Sequence, residues 1–187
     1  MTKTCFLIRE ETPLQRARFP VIDAHNHLWG KWGALSDVVK AMDKVGVAIY
    51  CDLTSNVSLT WGGGGYLIKP GDIDHFFREC VGRYPNRFYG FTTATLTPPP
   101  GPPLFNDAKE FVERTITMLR DHVARGARGL KVLKELGLRY RDGQGNLIPC
   151  DDERLAPIWE EAAALARLGG FEGGERRKCL KINARVF

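Results

Sequence analysis

The sequence has 187 residues, of which 43% are hydrophobic and 26% are charged. This composition is typical of a soluble globular protein, and no apolar run approaches the roughly 18 residues that a membrane span needs. The net charge of +5 is concentrated at one end, because residues 167–187 carry six basic and two acidic side chains. Nucleic-acid binding is not expected, since no aromatic residues interleave with these charges and no nucleic-acid motif is present.

The cysteines and the first residues bear on the compartment. The five cysteines are odd in number and include no C-x-x-C pair, so neither a disulfide framework nor a cysteine zinc site is predicted. Cys51 and Cys80 fall in apolar segments and are predicted to be buried. The N-terminal residues contain too short an apolar core for a signal peptide. These features indicate a cytoplasmic protein with no membrane partner.

The first predicted strand, over residues 20–25, ends in two histidines with one residue between them. Side chains on a strand alternate between the two faces, so His25 and His27 are expected to project side by side. Two parallel imidazoles would make half of a zinc-type site, and the alternative is a pair of polar residues at a strand–loop junction. Asp23 has the same parity as His25 and is predicted to support the pair without binding metal itself.

A helix over residues 36–45 follows the first strand. Ser36 is predicted to cap its beginning, and Gly46 is a suitable residue just past its end. The second strand, over 47–53, is apolar almost throughout, as expected of a strand in a parallel sheet that is covered on both faces.

A long loop with four glycines at 62–65 comes next. No Lys-Ser/Thr pair follows it to make a phosphate-binding loop, and we predict a mobile loop at the edge of the sheet. A helix over 72–84 then completes the second unit; its His75 is predicted to be solvated.

The third unit is a strand over 88–96, a proline-rich loop over 98–103 and a helix over 108–125. Asp107 is predicted to cap this helix in a capping box with Glu110. His122 lies on its apolar face and is predicted to be a satisfied or semi-exposed helix residue, not a ligand. A fourth strand over 128–134 and a helix over 155–167 complete the series.

Strands and helices therefore alternate four times along the chain. This alternation predicts an α/β protein with a parallel sheet and right-handed crossovers. A complete TIM-type barrel has eight such units and about 250 residues. The chain accounts for about half of one.

The run Val21-Ile22-Asp23-Ala24-His25-Asn26-His27 resembles the beginning of the amidohydrolase superfamily, and most closely the amidohydrolase-related (amidohydrolase 2) branch of metal-dependent hydrolases and decarboxylases. The resemblance extends over about 18–168 and includes the segments 129–138 and 142–160. It implies a (β/α)8 barrel in which His25 and His27 bind a catalytic divalent metal, most simply Zn²⁺. Lys131 would be a bridging ligand if it were carboxylated, although a structural or substrate-facing lysine is an equal alternative and Lys134 is not distinguished from it.

The resemblance ends near residue 168. In the family, later strands carry two more histidine ligands and a catalytic aspartate, but no histidine follows His122 here. Residues 169–187 change abruptly to a glycine- and arginine-rich tail, which we interpret as disordered or non-native; a basic tail with a function of its own is the alternative. The expected organisation is an extension over 1–17, an incomplete barrel over 18–168 and this tail over 169–187.

These features lead to a main hypothesis and two alternatives. The main one is the N-terminal portion of a metal-dependent hydrolase acting on a small-molecule substrate, catalytically incomplete as this chain. The first alternative is a decarboxylase of a small carboxylic acid from the same family. The second is a non-catalytic half-barrel that acts by self-association or binding, because open sheet edges favour association.

Overall fold

The computed structural model describes residues 17–28, 34–62, 65–96 and 106–168, with the backbone alone for residues 59–62, 65–68 and 70. The predicted extension lies almost entirely outside these residues, as do the proline-rich loop and the tail over 169–187. Among the described residues, no helix is long and apolar enough to cross a membrane.

A three-stranded parallel sheet forms the centre of the fold. Its strands are β1 (Val21–Asn26), β2 (Val47–Asp52) and β5 (Phe88–Gly90), and they lie in the order β1-β2-β5. The first crossover contains helix α1 (Leu35–Val45). The mixed α/β class and the parallel sheet are therefore confirmed. A four-stranded half of a barrel stays a prediction.

The chain after β5 extends the sheet by a single β-bridge. The predicted fourth strand, 128–134, is wrong as a regular strand, because only Leu130 pairs, in a parallel bridge with Thr92. The amide of Lys131 donates to the carbonyl of Thr92 at 2.7 Å. Beyond Val132 the chain turns, since the amide of Leu136 donates to the carbonyl of Leu133. Within the sheet, β1, β2, β5 and the segment at Leu130 nevertheless lie in the same order as in the sequence.

Strand β5 is shorter than its predicted range of 88–96. Ala94 has a φ of 45°, a left-handed conformation that ends an extended segment. The hydroxyl of Thr92 accepts a hydrogen bond from the amide of Ala94 and stabilises this bend. Regular pairing ends at Gly90, and Thr92 makes only the isolated bridge.

An antiparallel hairpin replaces the predicted glycine loop. Strand β3 (Val57–Gly62) pairs with β4 (Gly65–Pro70), so the prediction of a mobile loop is wrong for Gly62 and Gly65. Gly63 and Gly64 lie outside the described residues. The flanking sequence is rich in β-branched and aromatic residues, which favour a strand.

The remaining elements are helical. The predicted helix over 72–84 is a short α-helix, α2 (Ile73–Phe76), that continues as a π-helix over Phe77–Val81. Helix α3 is Ala108–Ala124, and a 3₁₀ turn, Glu153–Leu155, leads into α4 (Ala156–Leu168).

Two of three predicted helix boundaries are confirmed. Gly46 follows α1 with a left-handed φ of 84°, and the Asp107 carboxylate accepts a hydrogen bond from the Glu110 amide at the beginning of α3. Ser36 is not the cap of α1, because the helix already includes Leu35 and its N-cap is Ala34, without a side-chain hydrogen bond.

Buried side chains cover the sheet in two main groups. One lies between the sheet and the first two helices and includes Val39, Met42, Tyr50, Phe76, Cys80 and Phe88. The other joins α3 and α4 through Phe111, Leu119, Leu130, Leu155 and Ile158. Cys51 and Cys80 are buried, as predicted.

Candidate metal centre

The two histidines lie next to each other at the carboxyl end of β1. Their ring centroids are 5.6 Å apart and the ring planes are nearly perpendicular, at 76°. His25 is exposed, whereas His27 follows the last residue of β1 and is half-buried. The structure therefore brings together the two side chains that the H-x-H spacing predicts to be neighbours.

Asp23 contacts the backbone near the histidines. One carboxylate oxygen accepts a 2.7 Å hydrogen bond from the side-chain amide of Asn26, and the other accepts a longer one, at 3.4 Å, from the amide of His25. The two bonds hold the end of β1 in a fixed conformation, next to an irregularity in the β1–β2 register between Asp23 and Asn26.

The ring of His27 hydrogen-bonds a residue in the segment that follows β2. Its Nδ1 lies 2.9 Å from Oγ1 of Thr54, which follows β2. Burial, together with the nearby charges of His25 and Lys131, lowers the pKa of His27 to about 4. His27 is therefore neutral at pH 7, which is the form of imidazole that binds a metal.

Lys131 belongs to the same group of residues. Its side chain is only 8% exposed, and its charge acts on His27. Lys134 is exposed, beyond the point where the chain turns. The structure thus distinguishes the two lysines that sequence reasoning left equivalent: Lys131 is buried and its charge acts on His27, whereas Lys134 is exposed.

Asp52 ends β2 and is 3% exposed. Its Oδ1 accepts hydrogen bonds from the amide of Thr54 at 3.2 Å and from the amide of Leu28 at 3.4 Å. The side chains of Ser55 and Thr54 also favour its charged form as hydrogen-bond donors. Burial raises the pKa of Asp52 to about 6, and these hydrogen bonds oppose part of that rise.

Asp52 and Thr54 are residues that the sequence reasoning missed. The signal available was the polar run that begins at the end of the second strand, Asp52-Leu53-Thr54-Ser55. Carboxyl ends of neighbouring parallel strands meet at one edge of a sheet, which is where ligands bind in α/β folds. The same reasoning that selected His25 and His27 at the end of β1 could have selected Asp52 and Thr54 at the end of β2.

The other histidines are not part of this group. His75 is exposed in α2, as predicted, and its ring lies 3.3 Å from the Arg78 guanidinium. His122 is buried in α3, and its Nδ1 lies 2.6 Å from the Thr92 hydroxyl. The prediction that His122 is a satisfied helix residue is confirmed.

His25 and His27 supply some, but not all, of the ligands that a divalent metal site needs. Two imidazole nitrogens suit zinc, but a catalytic zinc site takes about three protein ligands. Within the described ranges, no three His, Cys, Asp or Glu side chains gather closely enough to hold an ion. His25 and His27 can therefore serve as two ligands, and Lys131 is the neighbouring side chain that could add an oxygen donor if carboxylated.

A cavity of about 350 Å³ borders the same end of the sheet. Leu28, Asp52 and Thr54 line it, together with residues of α1 and α2. His25, His27 and Lys131 are not among its lining residues, but Thr54, whose hydroxyl lies 2.9 Å from the His27 ring, is.

Comparison with known proteins gives no further assignment: no family model matches the chain, and neither a curated protein nor a solved structure shows significant similarity to it.

Proposed function

We propose that this chain carries the histidine part of a divalent metal centre of the metal-dependent hydrolase type. The observation that supports it best is the position of His25 and His27, adjacent at the carboxyl end of the first strand of a parallel sheet. Asp23 accepts a hydrogen bond from the His25 amide, Thr54 hydrogen-bonds the His27 ring, and the charge of the buried Lys131 acts on His27. The amidohydrolase resemblance assigns the same residues.

The chemistry proposed for the site is hydrolysis of a small-molecule substrate. A bound divalent ion would lower the pKa of a water towards about 7 and so supply the nucleophile. In this proposal, His25 and His27 orient their nitrogens towards the ion, and the half-buried position of His27 reduces competition from solvent. The described residues supply two imidazoles, so we expect weak metal binding and no turnover from this chain alone.

Zinc titration of single variants tests this proposal. We expect His25→Ala and His27→Ala each to weaken Zn²⁺ binding by at least about tenfold, because even partners outside the ligand sphere contribute 10- to 100-fold to metal affinity. Isothermal titration calorimetry measures the change. His75→Ala is the matched control, since His75 is exposed in α2 and its ring lies beside the Arg78 guanidinium. Equal zinc affinity in all three variants, or hydrolytic turnover with a full metal load, would contradict the proposal.

One observation favours a second candidate, a half-barrel that pairs with another copy of itself. Among the described residues, no strand pairs with β1 on the side away from β2. This open edge carries exposed apolar side chains, with Val21 39% and Ile22 56% exposed. An open, apolar strand edge is a template for pairing with a second chain.

Sedimentation velocity tests the second candidate. We expect a dimer for the wild-type chain and a monomer for Ile22→Lys, because a charge on the edge strand opposes pairing. Leu138→Lys is the control, since Leu138 is 68% exposed in a turn away from the edge. A monomeric wild-type chain would rule the second candidate out.

A further inference from the structure

The hydrogen bond between His27 and Thr54 can form in two ways. Either His27 donates from Nδ1 to the hydroxyl oxygen, or the hydroxyl donates to Nδ1. A neutral imidazole carries its hydrogen on one ring nitrogen and a lone pair on the other. In the first case the lone pair is on Nε2, and in the second the hydrogen is. Only the first case leaves the Nε2 lone pair free for a metal.

The surroundings of Thr54 favour the first case. A threonine hydroxyl has a single hydrogen to donate, and the Asp52 carboxylate, which already accepts from the Thr54 amide at 3.2 Å, is the acceptor beside it. A carboxylate accepts hydrogen bonds, so the Thr54 hydrogen is directed to Asp52. The Thr54 oxygen is then left to accept from Nδ1 of His27, 2.9 Å away.

The backbone holds this chain of hydrogen bonds in place. Asp52 Oδ1 accepts from the amide of Thr54 and from the amide of Leu28, the residue after His27. One buried carboxylate thus contacts both the segment that carries the imidazole and the segment that carries its hydroxyl partner. In addition, the Ser55 hydroxyl donates to the Asp52 carbonyl at 3.1 Å, which stabilises the turn after β2.

We propose that Thr54 is a positioning residue for His27: linked to Asp52, its hydroxyl accepts the Nδ1 hydrogen and directs the Nε2 lone pair to the metal position. The role of Thr54 towards a metal rests on the function proposed above. The arrangement of hydrogens that Thr54 imposes on His27 does not, because it exists in the metal-free chain.

Nitrogen NMR of the metal-free chain at neutral pH tests the arrangement. In the ¹⁵N-labelled wild-type protein, with His27 assigned by comparison with His27→Ala, we expect the hydrogen on Nδ1. Thr54→Val has the same shape but no hydroxyl, and we expect it to lose this preference. Thr54→Ser retains the hydroxyl and should restore the wild-type signal, which a purely structural role of the threonine methyl would not do. A wild-type His27 with its hydrogen on Nε2 would overturn the proposal, as would an unchanged signal in Thr54→Val.

Zinc titration of the same variants tests the consequence for the metal. We expect Thr54→Val to weaken Zn²⁺ binding by about 10- to 100-fold, as is usual for the loss of a partner that orients a ligand, and Thr54→Ser to stay close to wild type. Thr115→Val is the control, because Thr115 is a fully buried threonine in α3, far from β1 in the sequence, whose hydroxyl bonds the Phe111 carbonyl. Equal zinc affinity in wild type and Thr54→Val would overturn the role of Thr54 towards the metal. If the wild-type chain binds no zinc, that role and the proposed function both fail, and the NMR result still decides the arrangement of hydrogens.

Discussion

Replacing Phe88 by alanine is expected to lower the free energy of unfolding by about 3–5 kcal/mol, the usual cost of removing a buried phenylalanine ring. Phe88 lies in β5 and is 1% exposed. Its ring packs against Tyr50 and Tyr84, with centroid distances of 5.7 and 6.2 Å. These contacts join β2, β5 and the segment after the π-helix, so the cavity left by alanine would lie in the centre of the first core group.

Urea unfolding followed by circular dichroism measures this loss. Phe19→Ala is the matched control, because Phe19 is 71% exposed and its removal should change the free energy of unfolding by less than about 0.5 kcal/mol. If Phe88→Ala does not fold, Phe88→Leu replaces it and should lose about 1 kcal/mol. Equal losses for the buried and exposed phenylalanines would contradict the position of β5 in the core.

Asp52 is expected to make the free energy of unfolding depend on pH, and this is the second large effect. Burial raises its pKa to about 6, from about 3.8 in an unfolded chain. Between these two values the unfolded chain loses its proton first, so the protonated form stabilises the fold at low pH. That contribution is complete below about pH 4 and is lost as the pH rises through 6. The difference in pKa corresponds to about 3 kcal/mol.

The variant Asp52→Asn isolates this contribution. Asparagine keeps a side-chain oxygen for the amides of Leu28 and Thr54 but does not ionise. We therefore expect the free energy of unfolding of the variant, relative to wild type, to rise by about 3 kcal/mol between pH 4 and pH 7. Urea titrations at several pH values measure it, and taking the difference cancels the opposite effect of carboxylates such as Asp74 and Glu79, whose pKa is lowered by arginines. A difference that does not vary with pH would show that Asp52 is not desolvated.

Much of the fold could be predicted because local signals and tertiary packing agree. Gly46 ends α1 and Asp107 begins α3, since a left-handed φ and a capping carboxylate are local requirements that the sequence states directly. The alternation of strands and helices also follows from local periodicity. The hairpin over residues 57–70 was missed because four consecutive glycines suggest a loop, whereas the strands are specified by the residues on either side.

The extent of the strands and the partners of the histidines depend on contacts between distant residues. The segment over 128–134 has the composition of a strand, but the bend at Ala94 ends its neighbour early and leaves one bridge. The adjacency of His25 and His27 could be predicted from spacing. The contact of His27 with Thr54 spans 27 residues and requires the parallel pairing of β1 with β2, which no local pattern encodes.

The central claim, that His25 and His27 bind a divalent metal together, is tested most directly by X-ray absorption spectroscopy of the zinc-loaded chain. We predict nitrogen neighbours at about 2.0–2.1 Å, with the outer-shell scattering of two imidazoles per zinc, and loss of that scattering in the His25→Ala/His27→Ala double variant. A spectrum dominated by sulfur at about 2.3 Å, or one that the double substitution leaves unchanged, would contradict the account.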